Sequence, residues 1–306
     1  MNITSLLNAL PGAVAQGLIW GIMAIGVYIT YKVLDLADLT VDGTMATGGA
    51  VCVMLMLTGH SLWLSLLLAI IAGMLAGLIT GLFHTAMGIP AILSGILTQL
   101  SLYSINLAIM DFKANQGINV TKYTLIVSQR NVRTLSPQNP ILTALLITAA
   151  LIGLLYWFFG TELGSALRAT GANEAMSRAQ GINTNVSKLL GLMISNGIVA
   201  LSSAMLAHYQ GFVDVNMGRG AIVIGLAAVI ISDVLFGKLF RNFALKLLGV
   251  SIGAVIYYIV LQVVLWLGLN TNLLKLLSAL IVAVFLAIPY WKGKLGSTRK
   301  GGGANA

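Results

Sequence analysis

A chain of 306 residues with 58% hydrophobic and only 8% charged residues, and a mean hydropathy of +0.96, is excluded from the water-soluble domains, which carry roughly a quarter charged residues. A net charge of +9 does not point to nucleic acid either, because the cations stand at the ends of apolar runs and form no stripe. The expected class is an all-α polytopic membrane protein embedded in a lipid bilayer, in which basic residues report orientation.

The first apolar run, about 12–31, is long enough to stay in a bilayer, and no Lys or Arg precedes it as a cleavable leader would require. It therefore counts as a span. Gly17, Gly21 and Gly26 give it a small face for close helix contact, and Lys32 marks its end. Residues 34–57 are unusual: Asp35, Asp38 and Asp42, three of the eight acidic residues, stand directly before or at the start of an apolar run, with Thr40 and Gly43 among them. A broken or re-entrant second segment is predicted, since irregular backbone and carboxylates at membrane depth are tolerated only against a cavity or other protein. The third and fourth spans, 62–87 and 91–110, are joined by the turn Gly88-Ile-Pro90. The fourth is polar along its length, carrying Thr98, Gln99, Tyr103 and Asn106.

Residues 111–140 form a long polar loop whose Thr/Tyr/Val/Ile centre suggests a small hairpin. After a fifth span at 141–159 comes the longest charged, Gly-punctuated interruption of the second half, 161–188. Thr161 is placed to cap a short helix that opens with Glu162, carries Arg168 and ends at Gly171; Asn173 is placed to cap a second, with Glu174 and Arg178 four residues apart and Gly181 closing it. The product is a helix-turn-helix knuckle on a membrane surface. Further spans are expected at 189–209, 220–236, 243–267 and 273–290, about nine in all. Residues 1–290 are thus one membrane domain, and 291–306 a basic, Gly-rich tail expected to be disordered and solvent-facing.

With nine spans and the tail inside, eleven of the seventeen cations fall on the inner face and six on the outer, Arg219 among the latter. The knuckle is then cytoplasmic and 111–140 external. A short echo relates Asp38-Leu-Thr-Val-Asp-Gly43 to Asp214-Val-Asn-Met-Gly-Arg-Gly220, each preceding a span, on opposite sides of the membrane. Inverted repeats with irregular segments meeting at a midplane cavity are a recurrent transporter plan. Polarity at membrane depth nominates Asp38, Thr40, Asp42, Gln99, Tyr103, Asn106 and Asn216 as lining a solute pathway. Carboxylates can also cap or lock helices, a reading equally open for Asp35 and Asp233. Other chemistry is missing from the sequence. No G-x-x-x-x-G-K-[ST] phosphate loop occurs, Cys52 stands alone in an apolar run, and His60, His84 and His208 are scattered without metal-ligand spacing.

Gly164-Ser-Ala-Leu-Arg-Ala-Thr-Gly171-Ala-Asn-Glu-Ala, followed by Gly181-Ile182, resembles the cytoplasmic coupling loop of ABC importer permeases of the branched-chain amino acid type. Ala24-Ile-Gly-Val-Tyr-Ile-Thr, Asp38-Leu-Thr-Val-Asp-Gly43 and Gly218-Arg-Gly220-Ala-Ile-Val-Ile-Gly-Leu-Ala-Ala-Val resemble that family's other landmarks, so the similarity covers roughly 12–290. It implies a permease subunit in a bacterial cytoplasmic membrane, working as a homodimer with an extracytoplasmic solute-binding protein and separate ABC ATPase subunits. ATP and Mg would sit on the ATPase, and this chain would bind no cofactor. The coupling residues implied are Leu163, Leu167, Arg168, Gly171, Glu174, Ala175, Arg178 and Gly181, with Leu163, Leu167 and Met176 supplying apolar contact. The solute implied is small, an amino acid, with similarity around Asp38 to Gly43 and Asp214 to Gly218 leaning toward aromatic ones. The alternative is an ion-coupled secondary carrier that uses Asp38, Asp42 and Asp233 and needs no knuckle. An intramembrane enzyme would need a catalytic constellation that the sequence does not offer.

Overall fold

The computed structural model of the protein describes residues 3–268 apart from 121, 135 and 137, and scattered positions from 273 to 287. Helix α1 (Ile3–Tyr28) continues through a π-helical turn, Ile29–Val33. Then follow α2 (Thr40–Leu57), α3 (Leu62–Thr85), α4 (Ala91–Ile109), α5 (Pro140–Gly160), the short α6 (Glu162–Ala172) and α7 (Glu174–Ala179), α8 (Thr184–Gln210), α9 (Ala221–Phe236) and α10 (Phe243–Trp266). Among the described residues seven helices are long and apolar enough to cross a membrane, α1 with its π turn, α2 to α5, α8 and α10; α9 is apolar but shorter. The chain is an integral membrane protein. The ninth expected span, 273–290, and the tail lie mostly or wholly outside the described residues.

Helices α1, α2 and α8 form the centre, with 72–78% of their most apolar windows buried, against 17–33% in α3, α4 and α5. Apolar side chains on that periphery, such as Leu75, Leu146, Leu154 and Trp157, point outward, which is stable only with hydrocarbon as the solvent. Lipid tails supply no hydrophobic drive between helices, so close approach and polar contacts hold the centre together. At Gly73 and Gly77 of α3 a Cβ would run into the α8 backbone at Asn196 and Leu192. Ser195 and Ser202 of α8 donate to the carbonyls of Gly26 and Ile19 in α1, both at 2.7 Å, bonds worth about 0.6 kcal/mol each inside a bilayer.

The helix pair α6–α7 marks one end of the bundle and a two-stranded antiparallel sheet the other. That sheet corrects the hairpin expected within 111–140. Strand β1 (Asn115–Gly117) pairs instead with β2 (Phe212–Asp214), which follows α8, in the register Asn115 to Asp214 and Gly117 to Phe212. The apolar loop residues Ile118, Leu125 and Val127 are buried in the core instead of facing one another, because the ends of α2 and α8 offer them more apolar surface than a hairpin would. The predicted irregularity in the second segment falls at 34–39, and α2 is continuous from Thr40.

Candidate functional site at the meeting of two chain breaks

Two irregular stretches, 34–39 before α2 and 211–220 before α9, share a local device. Asp38 Oδ1 accepts the Thr40 N–H at 2.9 Å and Asp214 Oδ1 accepts the Asn216 N–H at 2.7 Å, each turning the chain two residues ahead. This is the physical content of the sequence echo. Asp38 is only 2% exposed, and its second oxygen accepts Asn196 Nδ2 of α8 at 2.7 Å. Thr40 is tied to Thr80 of α3 at 2.7 Å, and Thr80 donates to Thr98 of α4 at 2.9 Å. Asp38 and Thr40 therefore sit in a network that joins α2, α3, α4 and α8.

Asp42, one turn on, reaches the other break. Its Oδ2 accepts the Gly220 N–H and its Oδ1 the Ile222 N–H, both at 2.9 Å. Gly220 occupies the N-cap position of α9 with φ +85° and has no side chain to cap with, so α2 supplies a carboxylate to the positive end of α9. Gly218 permits the approach, since a Cβ there would strike the Asp42 carbonyl. The start of α9 sits beside the middle of two membrane-spanning helices. Gly43, next to Asp42, packs on Gln99 and Leu102 in the middle of α4, and Gly225, a turn into α9, packs on Met23 and Val27 of α1.

A cavity of about 390 Å³ opens at this junction, bordered by Asp42, Gln99, Tyr103, Asn106, Val215 and Arg219 among others. Four residues expected on the pathway, Asp42, Gln99, Tyr103 and Asn106, are thus brought together. Asp38 and Thr40 are held in the neighbouring network, and Asn216 braces the turn by accepting the Arg219 N–H at 3.1 Å. Asn106 is fully buried; its Nδ2 donates to the Gly43 carbonyl at 3.3 Å, while its Oδ1 has no partner among the described residues. Arg219, assigned to the outer face from the sequence, was missed. It borders this cavity and a second of about 450 Å³ that includes Gln16, Trp20 and Tyr258, and among the described residues it forms no ion pair. The available signal was a cation between two glycines, opening an apolar run too short to span by itself.

At the other end of α9, Asp233 pairs with Lys32 of the π turn at 2.8 Å. The same turn receives the knuckle. Thr161 and Asn173 cap α6 and α7 as expected, accepting the N–H groups of Gly164 at 3.3 Å and Met176 at 2.9 Å, and Gly181 has φ +82°. Gly171 does not end α6, which runs to Ala172. Its role is close approach, because a Cβ would run into the Val33 carbonyl. Leu167, expected to face a partner, is fully buried beside Leu34 and Gly191, and Arg168 is turned back to donate to the Phe159 carbonyl at 2.8 Å. The outward face carries Leu163 and Met176, 57% and 63% exposed, with Ala175 between α6 and Arg178 on the same exposed surface.

Glu174 ties α7 to α8 through Lys188 at 2.8 Å and also pairs with Arg178 at 2.6 Å. The Lys188 hydrogen bond holds the Glu174 carboxyl below its ordinary pKa. With the folded-state pKa depressed, the contribution is present above the usual carboxylate range and is lost as pH falls through the lowered value. Glu174→Gln, which imitates protonation, is expected to speed amide exchange across 174–181 at neutral pH. Unchanged exchange would show that the ion pair does not hold α7. Cys52 and His208, distant in sequence, touch at 3.4 Å, and among the described residues no group of three His, Cys, Asp or Glu is arranged for a metal.

Residues 10–288 match the family model described as branched-chain amino acid transport system, permease component. A tyrosine transport system permease protein of Clostridioides difficile is 38% identical over 281 residues, covering 92% of this chain and 91% of that one. The uncharacterized protein RP368 of Rickettsia prowazekii is 34% identical over 283 residues, covering 92% and 98%. In fold the chain is similar to PsaBC from Streptococcus pneumoniae in complex with Fab, with a TM-score of 0.53, 17% identity and coverage of 94% and 95%.

Proposed function

The chain belongs to the permease family of branched-chain amino acid transport systems, and on that premise we propose that it forms the translocation pathway of an ATP-driven importer for an amino acid. It is a transport subunit and not an enzyme. The solute is delivered by an extracytoplasmic binding protein, and ATP with Mg is hydrolysed by separate ATPase subunits docked under a homodimer in the bacterial cytoplasmic membrane. The similarity to a tyrosine transport permease favours an aromatic amino acid. Nine spans, the second broken at 34–39 where it begins, complete the reading, α9 being the short seventh.

The observation that carries it is the line of packed parts between knuckle and cavity. Gly171 of α6 rests on the π turn, Lys32 of that turn pairs with Asp233 of α9, and the opposite end of α9 is capped by Asp42 at the cavity. A movement of the knuckle is thereby delivered to the cavity wall. The ion-coupled alternative is not favoured, because Asp38, Asp42 and Asp233 are all engaged by protein partners.

Reconstituted with its ATPase and binding protein, the permease is expected to accumulate labelled L-tyrosine or a related amino acid in proteoliposomes only when ATP is present on the knuckle side. Uptake driven by a proton or sodium gradient without ATP would overturn the proposal. A cysteine at Ser165, in a Cys52→Ala background, is expected to resist an impermeant thiol reagent in intact cells, whereas one at Lys113 reacts. The reverse labelling pattern would invert the orientation.

A further inference from the structure

We propose that Arg219 is the carboxylate-binding group of the 390 Å³ cavity and Asn106 Oδ1 its ammonium acceptor, so that the solute is read there as an intact zwitterion. This rests on the reading of that cavity as part of the transport pathway. Arg219 is exposed where it borders this cavity, and an unpaired cation at a cavity lined by membrane-spanning helices marks a functional position. No carboxylate lies within ion-pair distance of Arg219 among the described residues. Asp42 borders the same cavity, but both its oxygens are committed to the α9 amides at 2.9 Å. The guanidinium is therefore left to an anion from outside the chain, and its planar fork matches a carboxylate.

The second half of the zwitterion has its own counterpart. Asn106 is fully buried at the same cavity, its Nδ2 is used by the Gly43 carbonyl, and its Oδ1 is an acceptor without a donor among the described residues. That bond also sets which end of the amide carries oxygen, since the flipped amide would oppose two acceptors. A buried acceptor of this kind calls for an N–H donor. Anion-seeking and donor-seeking groups on one cavity together select a molecule carrying both charges. Tyr103 and Leu100 add an aromatic and apolar wall, and the volume falls within the roughly 300–1,000 Å³ of small-molecule sites.

The permease–ATPase complex in nanodiscs, without binding protein, tests this with labelled L-tyrosine as probe. Tyramine, which lacks the carboxylate, and 3-(4-hydroxyphenyl)propionate, which lacks the ammonium group, are the competitors. L-tyrosine is expected to bind and to be displaced by itself at least tenfold better than by either competitor. Arg219→Gln removes the binding and Arg219→Lys restores part of it. In the full reconstituted importer, Arg219→Gln lowers the solute moved per ATP at least tenfold, and Asn106→Leu lowers it as well. Equal displacement by tyramine, or wild-type transport by Arg219→Gln, overturns the assignment, as does loss of complex assembly in both Arg219 variants. ATP-driven import of a solute without a carboxylate would sink this inference and leave the importer reading intact. Absence of ATP-driven import of any solute would sink the importer reading itself.

Discussion

Leu167→Asp is expected to abolish uptake and release the ATPase, although Leu167 does not face a partner. Its side chain is fully buried beside Leu34 and Gly191, in the seam between α6, the π turn and α8. Removing it gives up about 1.5–3 kcal/mol of burial, and a carboxylate there adds several kcal/mol more unless α6 leaves the seam. Either way the knuckle detaches. Protease sensitivity across 161–188 should rise and ATPase recovery in pull-down should fall together. Leu163→Asp and Met176→Asp separate docking from folding. Both positions are exposed, so the knuckle should stay in place while ATPase recovery falls. Full ATPase recovery with all three variants would remove the coupling role from this stretch.

Asp42→Ala is expected to reduce uptake at least tenfold while leaving the subunits assembled. Asp42 accepts two backbone N–H groups at the start of α9, where Gly220 has no side chain to take its place. Hydrogen bonds to a charged group contribute about 1.5–3 kcal/mol each, and caps removed from helices cost about 0.5–2 kcal/mol. The first turn of α9 should fray, carrying Arg219 away from the cavity. Amide exchange at 220–224 should quicken, and Asp42→Asn, which keeps one acceptor, should fall between wild type and Asp42→Ala. Uptake within twofold of wild type in Asp42→Ala would show that the cap does not hold the pathway.

The sequence by itself determined what acts over a few residues. Apolar runs of 18–30 residues had to become spans because a helix satisfies all of its own backbone in hydrocarbon. Thr161 and Asn173 were legible as caps because a cap reaches only three residues ahead. Gly181 was legible for its positive φ. Tertiary structure decided everything that depends on which helices meet. Asp42 could be suspected of a role, but its partners stand 178 and 180 positions away. Gly171 looked like a helix stop and is a point of contact with Val33; Leu167 looked like a docking residue and is an anchor. Periodicity cannot tell these apart, since both faces of a short amphipathic helix beside a membrane meet apolar surroundings. Arg219 counted as an outer-face cation; it is exposed, and the 211–220 break sets it at the start of α9 beside the cavity. A polar group's role is set by the partners that folding leaves it, and at Arg219 and Asn106 folding leaves the ligand as the partner.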